Sequence, residues 1–159
     1  VKIRRLISDM KETLAASLDG IGLAASQIGE PLKIFLVSEE AYDIDDIDVE
    51  NPETAKVGEK AKKKWRHFVF INPVMTKQSR KKTKLAEGCL SLPAKFGMVE
   101  RAEKVSLTWL DENGKKESRG FTGFFARVIQ HEMDHLGGKL ISDRAKKIFD
   151  AGKSDDEKP

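Results

Sequence analysis

The sequence predicts a single α+β domain, and three observations carry that expectation. Apolar residues recur at intervals of three and four at the start of the chain and again around residue 128, as on amphipathic helices. Elsewhere, short runs rich in β-branched and aromatic residues are bounded by glycine, proline and asparagine, as strands are. The second helical stretch follows a strong hairpin signal directly, so helices and strands are interleaved along one chain.

A length of 159 residues with 39% apolar content suits one hydrophobic core. The 29 basic and 26 acidic residues leave a net charge of +3 and a pI near 8.9. Dense mixed charge of this kind describes a solvated surface and does not demand DNA or RNA as a partner. The lone cysteine cannot close an internal disulfide, and a reduced thiol fits a cytosolic setting. No apolar run approaches the ~20 residues that span a bilayer, so no membrane partner is expected. A cytoplasmic location follows, with an upstream targeting segment left open because the chain begins at Val1.

In chain order, Ile3, Leu6, Ile7, Met10, Leu14 and Leu18 form one stripe of an opening amphipathic helix whose other side carries Arg4, Arg5, Asp9, Lys11 and Glu12. Its mixed charges favour packing on the core over lying on a membrane. Residues 20–27, Gly-Ile-Gly-Leu-Ala-Ala-Ser-Gln, are small enough for a tight turn or a close backbone approach, and lack the third glycine of a dinucleotide fingerprint. Lys33 to Val37 and His67 to Ile71 read as strands, the second ending at Asn72-Pro73. Between them, an acidic stretch at 39–53 and a basic one at 56–64 read as a long loop or excursion. His67 reads as a surface or edge residue, not a ligand. Arg80, Lys81, Lys82 and Lys84 form a basic turn, most simply a solvated one. Val105, Leu107 and Trp109 alternate into Asn113-Gly114, a hairpin returning toward Phe121. After Ile148 the chain is short and charged, and reads as a frayed tail.

Chemistry concentrates at His131-Glu132-Met133-Asp134-His135. On a helix running from an N-cap at Thr122 to a stop at Gly137-Gly138, two histidines four apart are separated by roughly 6 Å of rise and about one turn. Both imidazoles leave one face and can share a cation. Phe124 and Val128 lie on the same stripe, which makes the site buried and apolar-walled. Glu132 points about 100° round the helix and is placed to move a proton rather than to ligate. The alternative is a pair of core histidines satisfied by neighbours, so a third ligand decides the matter. Cys89, in Glu87-Gly88-Cys89-Leu90-Ser91-Leu92-Pro93, supplies one; two imidazoles and a thiolate suit zinc and leave a coordination position open. Its alternative is an inert buried thiol.

Three segments, residues 20–27, 87–91 and Gln130 to His135, together resemble the peptide deformylases in kind and order. With Ile71-Asn72-Pro73 and the run from Arg101 to Val105, the resemblance extends from about Ile3 to Ile141. It implies antiparallel or mixed β-sheets surrounding a central metal-bearing α-helix, a catalytic domain over 1–150 and a flexible tail over 151–159. The implied activity is hydrolytic removal of the formyl group from the N-terminal formylmethionine of new polypeptides, releasing formate. The implied ligands of one divalent metal are Cys89, His131 and His135, with Fe(II) native and zinc, nickel or cobalt able to replace it. Glu132 would be the general acid and base. The Gln27 side-chain amide and the Leu90 backbone N–H would hold the oxyanion. Ile21 and Gly22 would pair with the substrate main chain, and Glu87 would line the methionine pocket while pairing with Arg101. Val128 is added as pocket wall from its place on the ligand face. A transient ribosome contact is put in doubt because no long C-terminal helix follows Ile141, and relatives usually carry a longer lead before the first helix.

Two rivals remain. A metalloprotease built on the same helical motif would take a downstream ligand, yet the position six after His135 is Ile141 and the only later glutamate is Glu157. A metal- or peptide-binding module without catalysis would have no need of Glu132 and Gln27.

Overall fold

The computed structural model describes residues 2–17, 20–43, 66–89, 92–145 and 148–150, with the side chain of Cys89 outside that set. Leu18, the greater part of the 39–66 excursion, Leu90 and the 151–159 tail therefore lie outside the described residues.

Helix α1 spans Lys2–Ala16 and buries Ile7, Met10 and Leu14. Its buried stripe is narrower than the sequence pattern, because Ile3 stays 45% exposed. Strands β1 (Gly22–Ala24), β2 (Ile34–Ser38), β3 (His67–Gln78), β6 (Lys104–Leu110) and β7 (Lys116–Thr122) form a sheet in the order β1-β2-β3-β6-β7. Strands β4 (Lys82–Cys89), β5 (Leu92–Ala102) and β8 (Ile148–Asp150) form a second sheet in the order β4-β5-β8. All the pairings are antiparallel. Helix α2 spans Gly123–Leu136, and the short α3 spans Ile141–Arg144.

Strand β2 is buried along its whole length, which its unbroken Ile-Phe-Leu-Val run encodes. Ile34 and Leu36 pack in one cluster with Ile7, Met10 and Leu14 of α1, while Phe35 and Val37 pack in another with Phe125, Ala126 and Ile129 of α2. The period-2 alternation of a strand thus presents successive residues to two different helices. Phe70, Trp109 and Phe121 complete the α2 cluster, so this helix lies in the main core.

Strand β3 does not end at Asn72-Pro73. It continues to Gln78 because the register with β6 shifts between Ile71 and Val74, and that irregularity accommodates a proline without an N–H and Asn72 at φ 48°. His67 opens this central strand opposite Ser38, half-buried, and is not an edge residue. The β6–β7 hairpin forms as expected, with Gly114 at φ 79° and Asp111 Oδ1 accepting from the N–H groups of Asn113 and Lys115. The basic run opens into a strand, Lys82 pairing with Ala102 and Lys84 with Glu100. Residues 148–150 pair with β5, so the chain remains structured past Ile148.

Candidate metal centre and its supporting network

Helix α2 begins at the Thr122 N-cap, whose side chain makes no capping bond, and stops at Gly137, followed by Gly138 at φ 77°. It buries eight residues in succession from Phe125 to Glu132, and His135 beyond them, an all-round burial that suits a helix flanked by two sheets. Gln130 clamps it to β5: its Oε1 accepts from the Ala102 N–H at 3.0 Å, and its Nε2 donates to the Ala102 carbonyl at 2.8 Å.

His131 and His135 are buried, and their Nε2 atoms stand 3.0 Å apart. Two ring nitrogens on one tetrahedral ion would be about 3.3 to 3.4 Å apart, so the observed pair is already near the required bite. His131 Nδ1 lies 2.9 Å from Glu87 Oε1. An ionised carboxylate can only accept, so Nδ1 carries a proton and donates it, which makes Nε2 the nitrogen that would present a lone pair to an ion. Ligand atoms of His131, Glu132 and His135 all fall within 4.8 Å of one another, and the donor set fits a divalent cation.

Glu87 is 7% exposed and anchors this arrangement from β4. Its carboxylate receives a two-point fork from Arg101, Nε to Oε2 at 3.0 Å and Nη2 to Oε1 at 2.9 Å, and a further bond from Arg127 Nη1 at 2.5 Å. Burial by itself would push this carboxyl up, but the bonds from His131 and Arg101 and their charges outweigh it and hold the group down at about 2. The Arg101 partnership agrees with the sequence expectation; the contacts with His131 and Arg127 were not anticipated.

Glu132 faces the other sheet. A methyl group added at Gly22 would sit 2.6 Å from Glu132 Oε1, so only a glycine lets β1 approach the carboxylate this closely. Strand β1 is the end strand of its sheet among the described residues. The Ile21 carbonyl accepts from the Ser38 N–H at 2.7 Å and so faces inward; by alternation Gly22 turns its own N–H and C=O to the outer edge. The Ala24 N–H, on the outward side as well, donates to Gln27 Oε1 at 2.8 Å. That bond brings the Gln27 carboxamide to the edge that Gly22 faces and leaves its NH2 as the donor end. Val128 is buried in the main cluster and Phe124 packs partly against it. Cys89 ends β4 just beyond Glu87, where a register shift between Gly88 and Cys89 bends the strand; its thiol and the whole of Leu90 lie outside what is described.

Arg127 and Asp134 are the members of the network that sequence reasoning missed. With His131 they fall at i, i+4 and i+7, one face of α2. A charged pair bracketing a buried histidine on a mostly apolar helix is the signal that could have found them.

An α+β scaffold with a buried His-Glu-x-x-His helix and an edge strand against its glutamate defines a metal-dependent hydrolase of peptide-like substrates. Residues 1–150 match the family model for polypeptide deformylase. A peptide deformylase of Rhizorhabdus wittichii is 38% identical over 148 residues, 92% of this chain and 75% of that one. A probable peptide deformylase from a Synechococcus phage superposes with a TM-score of 0.73 at 33% identity, covering 90% of this chain and 83% of that one. A peptide deformylase from Acinetobacter baumannii, solved with Met-Ala-Ser bound, gives 0.71 at 31% identity, covering 90% and 80%. The chain belongs to the polypeptide deformylase family, which is an enzyme family and a metal-dependent one. No described helix is long and apolar enough to cross a membrane.

Proposed function

We propose that this protein hydrolyses the N-terminal formamide of formylmethionyl peptides, with Cys89, His131 and His135 holding one divalent ion, Fe(II) in the native enzyme. The observation that carries the assignment is the contact of the Glu132 carboxylate with Gly22, which joins the proton-transferring group, the histidine pair and an open strand edge. A bound cation supplies a Lewis acid that lets water act as a nucleophile near neutral pH.

The peptide main chain pairs as an added strand along Ile21 and Gly22, in the manner of β-augmentation, with the outer edge at Gly22 facing it and the Ile21 carbonyl tying β1 to Ser38. This pairing orients the formyl carbon. Glu132 takes a proton from the attacking water and returns it to the departing amine nitrogen, so the C–O bond forms, the C–N bond breaks, and formate and a free α-amine leave. The Gln27 NH2 and the Leu90 N–H donate to the carbonyl oxygen as it becomes negative, which favours the transition state over the ground state. Glu87 keeps His131 in its ligand tautomer from behind while bordering the methionine pocket, and Val128 adds apolar wall. The formyl carbon carries only hydrogen, so a tight site admits it and excludes an acetyl group or a preceding residue. The Met-Ala-Ser bound by the Acinetobacter enzyme has the form of the product such a reaction leaves. The substrate arises on the ribosome in the cytoplasm, so a transient ribosome encounter belongs to this reading and specific DNA binding does not. The domain is proposed to close at residue 150, with 151–159 a tail outside it.

Formate release from formyl-Met-Ala-Ser by ferrous-loaded, anaerobic protein tests the reading. Wild type releases formate and Glu132→Gln loses at least about 100-fold in turnover, as expected for a general acid and base. Unchanged release in Glu132→Gln removes the assignment, and cleavage of internal peptide bonds without formate replaces it with a protease.

A further inference from the structure

The charged network does not end at Glu87. Arg101 donates through Nη1 to Asp134 Oδ2 at 2.5 Å, and Asp134 is gripped from outside by Arg144, Nε to Oδ2 at 2.5 Å and Nη2 to Oδ1 at 2.6 Å. The path runs from the surface into the interior: the side chains are 40% exposed at Arg144, 11% at Asp134, and only 4% and 6% at Arg101 and Glu87. An unbroken line of charge-assisted bonds therefore runs from the surface to Nδ1 of His131.

We propose that Arg144 is a positioning residue for the metal site, acting through Asp134, Arg101 and Glu87 to set the orientation of His131. The inference rests on the reading of His131 and His135 as ligands. Arg144 itself touches neither histidine, and its place in the fold is fixed independently. Ile141 is 1% exposed, Asp143 Oδ2 accepts from the Leu140 N–H at 2.8 Å, and the Lys139 N–H donates to the Asp134 carbonyl at 2.8 Å. Beyond Arg144 the chain pairs through β8 with β5, the strand that carries Arg101.

The physical reason lies in how Asp134 is shared. Its Oδ2 accepts from Arg101 and Arg144 together, while Oδ1 accepts from Arg144. Without the Arg144 fork, Oδ1 loses its donor, and the carboxylate turns to take a second N–H from Arg101. That second N–H is the other one on Nη2, the atom that also holds Glu87 Oε1, so the rigid, planar guanidinium tilts toward the rotated Asp134 and loosens its two-point grip on Glu87. Glu87 then shifts, and the ring it orients shifts with it.

Cobalt(II)-loaded protein separates this role from a merely structural one. Loss of an outer-shell partner commonly costs about 10- to 100-fold in metal affinity; Arg144 acts at three further removes beyond Glu87, so Arg144→Gln should release cobalt to a chelator about 3- to 10-fold faster. The visible cobalt bands shift, kcat on formyl-Met-Ala-Ser falls and KM stays. Arg144→Lys recovers part of each effect, and Arg144→Gln with Asp134→Asn releases cobalt no faster than Asp134→Asn alone. A folded Arg144→Gln protein with wild-type release and spectrum overturns the proposal while leaving the ligand assignment intact. If Arg144→Gln does not fold, the same release and spectrum in Arg144→Lys decide: faster release supports the proposal and no change overturns it. Wild-type protein that takes up no cobalt overturns the ligand assignment and this inference together.

Discussion

Glu87 shows how one side chain can be both necessary and expensive to alter. Its charge is surrounded by Arg101, Arg127 and the His131 ring, all buried. Glu87→Gln leaves Arg127 without its counter-charge and Arg101 with Asp134 alone, and breaking a buried pair in this way costs about 3–5 kcal/mol. Urea denaturation of the variant should show that loss, with metal affinity down about 10- to 100-fold; an unchanged midpoint and affinity would contradict the orienting role. At Gly22 the expectation is different, because the backbone there is ordinary and only space is short. Gly22→Ala should fold with nearly wild-type stability yet turn over about 100-fold more slowly, since a misplacement of the acid–base group by about 1 Å has that effect. Steady-state kinetics beside thermal melting separate the two outcomes, and wild-type turnover in Gly22→Ala would show that the Glu132 contact is unimportant. Neither requirement was fully legible. The sequence displayed Gly22 as one of several small residues and Glu87 as a neighbour of Cys89, but a contact between residues 44 or 110 positions apart has no local pattern to announce it.

The legible elements were those whose periodicity matched their surroundings. Helix α2, α1, β2 and β6 each bury one face or both in a regular way, and their residue patterns say so, whereas β7, with only Phe121 buried, was legible from the Asn113-Gly114 turn before it. Strands β4 and β5 did not announce themselves. Lys82, Lys84, Glu87, Lys95, Glu100 and Arg101 scatter charge along them because one side of the pair meets Arg127 and Asp134 and the other meets solvent. Helix α3 has four residues and β8 three, too few to carry a period. The proline in β3 misled for a definite reason: a strand tolerates it where the ladder is already shifted. Helix α2 draws its stability from apolar packing, with Phe125 0% exposed and stacked 5.1 Å from Phe121. Phe125→Ala should cost about 3–5 kcal/mol, measurable as a lowered denaturation midpoint. A loss below 1 kcal/mol would mean that the helix is held chiefly by its polar clamps.

At the scale of the molecule, two antiparallel sheets hold one helix, and the division of labour follows the division of the sheets. The five-stranded sheet brings the edge strand and Gly22 to Glu132, with Gln27 held to the same strand through the Ala24 N–H. The three-stranded sheet brings Glu87 to His131 and backs it with Arg101. Because the main core around Phe35, Phe70, Leu107 and Phe125 forms without the ligands, removing the ion should abolish activity but not the fold. Chelated protein is expected to retain its circular dichroism, melt at a lower temperature by loss of ligand linkage, and regain activity with ferrous ion; unfolding on chelation would make the ion a structural one.

X-ray absorption at the zinc edge of zinc-loaded protein addresses the ligand set most directly. Two imidazole nitrogens and a single sulfur at about 2.3 Å are the predicted neighbours, the sulfur vanishing in Cys89→Ser and the imidazole signal halving in His131→Ala. A zinc shell with no sulfur, or one unaffected by either substitution, would contradict the account.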